Sequence, residues 1–293
     1  MSADVLALEI EAARARLLVL RMLQAGRSGH VGGALSCIDI VTALYFDILR
    51  IDPRSPNDGT RDRFLLSAGH KAMAQYAVLA RRGYFPEDLL DTYGGLDSKF
   101  AGHPDMHKVS GIEANTGALG HGLAIAAGMA LGLRMDGTAS RVFTILGDGE
   151  LPEGSNWEGA SIAAHHGLDN LIAVIDVNDL QISGRTTNVM NMEPIADKFE
   201  AFGWAVTTID GNNMSEVTDT LRSAPLIQGR PTAIVARTIK AKGISALEDT
   251  AQSHYWKPDA EALLEAHVEL TNTLVQKIKA RSDELMFTSR GTK

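Results

Sequence analysis

The chain has 293 residues, 45% of them hydrophobic and 22% charged. That supplies apolar material for a large core and excludes global disorder. A formal charge of -8 and a pI near 5.6 exclude the basic face of a nucleic-acid binder and argue against an anionic membrane surface as partner.

Near the N-terminus, Asp4, Glu9 and Glu11 interleave with apolar residues, unlike the basic start and continuous apolar run of a leader. The apolar stretch 118–133 is broken by glycines and by His121 and falls short of a membrane span. A soluble, cytoplasmic protein with no nucleic-acid or membrane partner is expected. Cys37 is the only cysteine, so neither a disulfide within the chain nor a CxxC metal site can form. It lies in the amphipathic run SCIDIVTALYF, which predicts a buried thiol.

Along the chain, residues 5–25 carry apolar positions at helical spacing and end at Gly26, predicting a helix. Ser36 with Asp39 reads as a capping-box start for a helix to about Leu49. RFLLS, 63–67, predicts a short strand. A helix follows over 70–83, and Pro86 opens another. Residues 94–122 are rich in Gly and His with little periodicity, and a small-residue helix is expected over 119–135.

A βα rhythm then sets in. Strands are predicted at 141–146, 171–176, 204–209 and 231–238, with helices at 154–166, 194–202 and 215–223. The strands are short, β-branched and apolar on both faces, as in covered parallel sheets. Strands alternating with helices predict an α/β fold: a doubly wound, mostly parallel sheet with helices on both faces. Residues 1–258 are expected to form one binding domain, and 259–293 a C-terminal helix ending in a loosely held tail.

Two predicted strand ends carry the chemistry. One strand runs into Gly147-Asp148-Gly149-Glu150 and the next into Val177-Asn178-Asp179. In a parallel sheet both turns fall at the carboxyl edge, where ligands bind. Their spacing is about one βαβ unit, so the strands can be neighbours. Asp148 and Asn178 would then offer a carboxylate and an amide oxygen side by side, with the Leu180 carbonyl adding another. Such a set suits Mg²⁺, which keeps water and phosphate oxygens for its remaining positions. As single motifs, GDG and a post-strand Asn are equally ordinary turn sequences.

The histidines are the second signal. His30, His70, His103 and His121 each sit beside or near glycine in turn-like segments, in SGHVGG, LSAGH, AGHPD and GALGHG. They suggest a site lined by groups that titrate near neutrality. A zinc site is the competing reading, but no pair has zinc-motif spacing. GxxxxGK[ST], GxSxG and HExxH are absent from the sequence, against the chemistries those motifs carry.

Taken together, SGHVGGALS, LSAGHKAMAQYA, SKFAGHPD, TGALGHG and GDGELPEGSNWEG, with VNDLQISG 30 residues on, make the chain resemble the N-terminal, diphosphate-binding domain of transketolases. The likeness runs over about residues 8–257 and is greatest to the split form, in which that domain is a separate subunit. The resemblance implies a thiamine diphosphate-binding fold and ketol transfer between sugar phosphates. It implies Mg²⁺ held by Asp148, Asn178 and the Leu180 carbonyl. Gly149 would lie against the diphosphate and Gly117 and Leu119 beside the cofactor. Glu153, grouped with the cofactor residues, matches a glutamate near the family's subunit interface. His30, His70 and His103 would be the catalytic cleft residues facing sugar hydroxyls, joined by His254.

There are departures. His121 stands where the family usually has glutamine, and the segment around His254 matches loosely. The pyrimidine-binding half is absent, so a C-terminal transketolase subunit is the implied partner, in an α2β2 assembly that alone turns over substrate. An α-like subunit of another thiamine enzyme, of 2-oxoacid dehydrogenase type, and a non-catalytic cofactor-binding subunit are the alternatives.

Overall fold

The computed structural model describes residues 4–290. Helix α1 (Val5–Gly26) is capped by Asp4, whose carboxylate accepts from the Ala7 amide at 2.9 Å, satisfying a donor the helix cannot. Helix α2 (Val31–Ala43) passes into a π-type turn, Leu44–Ile48. The expected start at Ser36 is wrong: α2 begins five residues earlier, and Ser36 and Asp39 lie inside it. Their side chains serve tertiary bonds instead. Ser36 reaches Asp176 at 2.6 Å, and Asp39 takes a bidentate pair from Arg16. Local cap chemistry lost to long-range polar pairing.

Strand β1 (Arg63–Leu66) precedes α3 (Ala72–Arg82), which Gly83 ends at φ 85, a left-handed conformation that favours glycine. The helix expected after Pro86 is only a 3₁₀ turn, Glu87–Thr92. Then come α4 (Gly122–Met135), β2 (Val142–Gly147), α5 (Gly154–His165), β3 (Leu171–Val177), α6 (Thr186–Val189), α7 (Ile195–Ala201), β4 (Ala205–Asp210), α8 (Met214–Ser223), β5 (Thr232–Arg237) and α9 (Ala260–Arg290).

The strands pair in the order β1-β2-β3-β5-β4, and every pairing is parallel. Side chains alternate across the sheet. Phe143, Ile145, Ile172, Val174 and Ile234 pack under α1, α2, α3 and α8. Leu146, Leu171, Ala173, Ile175 and Val235 pack under α4, α5 and α7. The predicted doubly wound sheet is therefore present, with β2 and β3 as neighbours. Helix α2 and its π-type turn, Val31–Ile48, meet the length and hydropathy of a membrane span, but 89% of that window is buried, and its side chains are those of a core helix. Cys37 is buried there.

The expected tail is helical as far as Arg290. Helix α9 lies along α1 through buried Ala266 and Leu270 and the pairs Lys277–Glu9 and Arg281–Asp4.

Candidate active site

Three strand tips meet at the carboxyl edge. β2 and β3 are in register with Gly147 opposite Asp176, so the turns that follow bring Asp148 and Asn178 together. The contact is visible in a hydrogen bond: Asp148 Oδ2 accepts from the Asp179 amide at 2.8 Å, and its Oδ1 from the Gly149 amide at 2.8 Å. Burial, then the nearby Asp176, pushes the Asp148 carboxyl up to about 7. It is a buried acid with too few donors for its charge.

Above this edge opens a cavity of about 280 Å³ walled by His30, His70, His103, His254, Lys71 and Lys240 among others. Of the residues implied by the resemblance, His30, His70, His103, His254, Gly117, Leu119, Asp148, Gly149, Asn178 and Leu180 all reach its wall. Glu153 does not. It occupies the N-cap position of α5 without a side-chain capping bond and packs against Gly120, where an added Cβ would approach Glu153 to 2.5 Å. His121 is also elsewhere, exposed before α4, with Nδ1 near the Leu119 carbonyl at 3.2 Å.

Four imidazoles converge although their segments are far apart in sequence. Ring centroids lie 5.5 Å apart for His30 and His70, 6.1 Å for His30 and His103, and 5.3 Å for His30 and His254. Paired backbone hydrogen bonds between Gly29 and Trp256, at 3.1 and 2.9 Å, clamp the loop carrying His254 beside His30. Tyr76 holds the His103 carbonyl at 2.9 Å. Burial, then the Lys71 charge, lowers His70 to about 2. Burial, then Lys240, lowers His254 to about 4. Burial and His103 lower His30 as well. Among the described residues no three His, Cys, Asp or Glu side chains converge on a metal-sized point, which removes the geometric basis of the zinc reading.

Two lysines were not anticipated. Lys71 follows His70 in the same motif, is buried, and pairs with buried Asp176. Burial is the largest influence and opposes its charge, but Asp176 with Cys37 and Asp148 together outweigh it and leave Lys71 raised. Its stem runs against Gly33, where a Cβ would come within 3.1 Å of Cγ. Lys240 follows β5 and donates to the Leu180 carbonyl at 2.8 Å. Burial, then Lys71, lowers it to about 8. The signal for Lys240 was present: β5 ends at the same sheet edge as β2 and β3, and the strand-tip argument extends to it. Glu150 is a further buried acid in the wall. Its carboxylate makes no hydrogen bond of good geometry, and burial pushes it up to about 7 against the pull of Ser67 and Lys71.

The fold and cleft define a class: a doubly wound α/β protein whose carboxyl edge offers oxygen ligands and lysine charge beneath a cluster of imidazoles. Comparison with known proteins specifies it. The family model "Transketolase, thiamine diphosphate binding domain" matches residues 9–273. An apulose-4-phosphate transketolase subunit of Phocaeicola vulgatus is 41% identical over 91% of this chain and 95% of its own length. The 6-deoxy-6-sulfo-D-fructose transketolase subunit SqwG of a Clostridium species is 43% identical over 92% and 98%. The crystal structure of transketolase from Campylobacter jejuni superposes with TM-score 0.85 at 31% identity, covering 92% of this chain but 43% of that one. The chain belongs to the transketolase family, as the thiamine diphosphate-binding, N-terminal subunit type. It spans less than half the length of the single-chain transketolase structure.

The residues present fit a metal-bound diphosphate. Gly117 has φ 148, and a Cβ there would meet the His103 ring at 2.8 Å, so only glycine keeps this wall open. Asp148, the Asn178 amide and the Leu180 carbonyl are hard oxygen donors of the kind Mg²⁺ takes. The Leu180 oxygen already accepts the Lys240 ammonium, so a cation there shares that carbonyl or displaces the lysine.

Proposed function

We propose that the chain holds thiamine diphosphate through Mg²⁺ at the β2 and β3 tips and, with a second chain, transfers a two-carbon ketol unit from a ketose phosphate to an aldose. The observation that carries this reading is the juxtaposition of Asp148 and Asn178 under four imidazoles in one cavity. Held there, the cofactor would supply a carbanion nucleophile toward a ketose carbonyl and a thiazolium ring as electron sink.

The chain's own contribution is position. Asp148, Asn178 and Leu180 would ligate the metal, and Lys240 would face the diphosphate. Gly117, Leu119 and Gly149 would let the cofactor lie against backbone. His30, His70, His103 and His254 would face the sugar. With His70 and His254 lowered to about 2 and about 4, these rings are neutral near pH 7. Neutral imidazoles accept hydrogen bonds from sugar hydroxyls and so can orient them.

Relatives of matching length that are themselves named as one subunit of a transketolase support a partner chain. An α2β2 assembly with a pyrimidine-binding C-terminal subunit is the form we propose. The test is calorimetric titration of thiamine diphosphate with and without Mg²⁺, then a ketol-transfer assay with the partner added. Metal-dependent binding, and turnover only with the partner, is the expected result. Robust turnover by this chain alone would refute the split site. No binding even with the partner present would refute the cofactor.

A further inference from the structure

Directly below the cavity floor, Asp176 is the penultimate residue of β3 and fully buried. Elements distant in sequence meet on its carboxylate. Ser36 of α2 donates to Oδ2 at 2.6 Å. Lys71, entering α3, donates to the same oxygen. Thr238, one residue past β5, donates to Oδ1. The Asn178 Nδ2 lies 3.4 Å from Asp176 Oδ2 and 3.4 Å from Ser36 Oγ. The other end of that amide faces away: Asn178 Oδ1 accepts from the Leu180 amide at 3.3 Å.

We infer that Asp176 is a positioning residue for the metal site, turning the Asn178 amide so that its oxygen and not its nitrogen faces the cation, with Lys71 as the countercharge that permits its burial. This rests on the proposed function. A primary amide has two ends of nearly equal size and opposite polarity. Packing alone discriminates poorly between them, whereas a fixed acceptor beneath the nitrogen selects one orientation. A cation meeting the NH₂ end would find two donors and no ligand. Stability gives no comparable reason for the pair, since a buried ion pair is commonly no better than apolar side chains of equal volume. Such apolar side chains could not accept from the amide or hold Ser36 and Thr238 in place. Groups that orient a metal ligand typically change metal affinity by about 10- to 100-fold when removed.

The experiment uses the full chain carrying Lys71→Met with Asp176→Leu, which removes both charges together and leaves neither buried alone. Thermal unfolding reports the fold, and calorimetry reports Mg²⁺-dependent binding of thiamine diphosphate. An unfolding midpoint close to that of the parent with affinity about 10- to 100-fold weaker supports the inference. Parent-like affinity in the folded double variant overturns it. A second readout needs neither that variant nor the cofactor: the side-chain Nδ2H₂ resonances of Asn178 in the parent chain, assigned with Asn178→Asp. Protection of both protons from solvent exchange, with nuclear Overhauser contacts from them to the Ser36 side chain, is expected from the present geometry. Rapid solvent exchange with no such contact overturns the inference. If the parent itself binds no thiamine diphosphate with Mg²⁺, the functional reading fails, and the amide resonances still decide the orientation claim.

Discussion

The two ends of the sheet each bury an aspartate, and the two are treated in opposite ways. At the amino end Asp62, 1% exposed, precedes β1. It accepts from the Arg50 amide and guanidinium and from the Arg141 amide and guanidinium. Burial raises its pKa, but Arg50 and Arg141 outweigh that and hold the carboxyl below its ordinary value. At the carboxyl end Asp148, 4% exposed, is met by two backbone amides, those of Gly149 and Asp179, and is pushed up to about 7. Equal burial with unequal partners gives one carboxylate stapled in place and another whose charge is left for a ligand to neutralise. Under the proposed function, a dication beside Asp148 would supply what arginines supply to Asp62.

That contrast is most severely tested by removing the charge at each end. Asp148→Asn should abolish Mg²⁺-dependent thiamine diphosphate binding, lowering turnover of the reconstituted enzyme by about a thousandfold or more, an effect of roughly 4 kcal/mol. Unfolding of the chain without cofactor should be unchanged or slightly raised, because a poorly satisfied buried carboxylate has gone. Asp62→Asn should do the reverse. It strands Arg50 and Arg141 and should destabilise the chain by about 3 kcal/mol, while the affinity of whatever folds stays near that of the parent. Thermal melts and calorimetry on both variants make the comparison. If Asp148→Asn melts far lower and still binds cofactor, the two ends do not differ as argued.

Ligand linkage is the next largest effect. At about 100 times the dissociation constant, thiamine diphosphate with Mg²⁺ should stabilise the chain by about 2.7 kcal/mol, and chelation by EDTA should reverse it. The same addition should leave Asp148→Asn unmoved and should stabilise Asp62→Asn by as much as the parent. A cofactor-induced rise in melting temperature that survives EDTA would separate binding from the metal.

Why one end was legible in the sequence and the other was not follows from the same chemistry. Asp148 and Asn178 stand in turns after strands whose β-branched apolar runs are plain, so strand-tip logic picked them out, and the register of β2 on β3 brings them together. The glycine-bordered histidines 30, 70 and 103 stood out by their loop context, and they share one cavity wall. Asp62, Arg50 and Arg141 carry no such mark, because a bond such as Arg141–Asp62 spans 79 residues and nothing local records it. Asp176 was hidden inside a strand read as continuous apolar character, although its burial depends on Ser36 and Lys71 from other elements. Ser36 was misread as a cap because cap patterns are local and its partner, Asp176, is 140 residues away.

The smallest expected effect sharpens the contrast at the cavity roof. His70 faces Lys71, Lys240, His30 and His254, so protonation would add positive charge among cations in a buried place. Burial and those charges both favour the neutral ring, hence the lowering to about 2. His254 is lowered to about 4 by the same causes. In the unfolded chain both titrate near 6.5, so below that pH the unfolded state binds protons the native state refuses. Stability contributed by the neutral rings is therefore present above about pH 6.5 and lost as pH falls, toward about 4 for His254 and about 2 for His70. The carboxyls of Asp148 and Glu150, raised to about 7, act in the opposite sense, taking up protons in the native state as pH falls below 7, so the net slope should be shallow. Proton NMR of the imidazole Cε1–H signals resolves the two contributions. The His70 signal should stay flat from pH 8 to 5, and His254 should move only below about pH 5. Asp148→Asn should leave both curves in place while steepening the loss of stability with acid, because it removes one of the opposing groups. A His70 midpoint near 6.5 would show that the roof is wet and that its ring is an ordinary titrating imidazole.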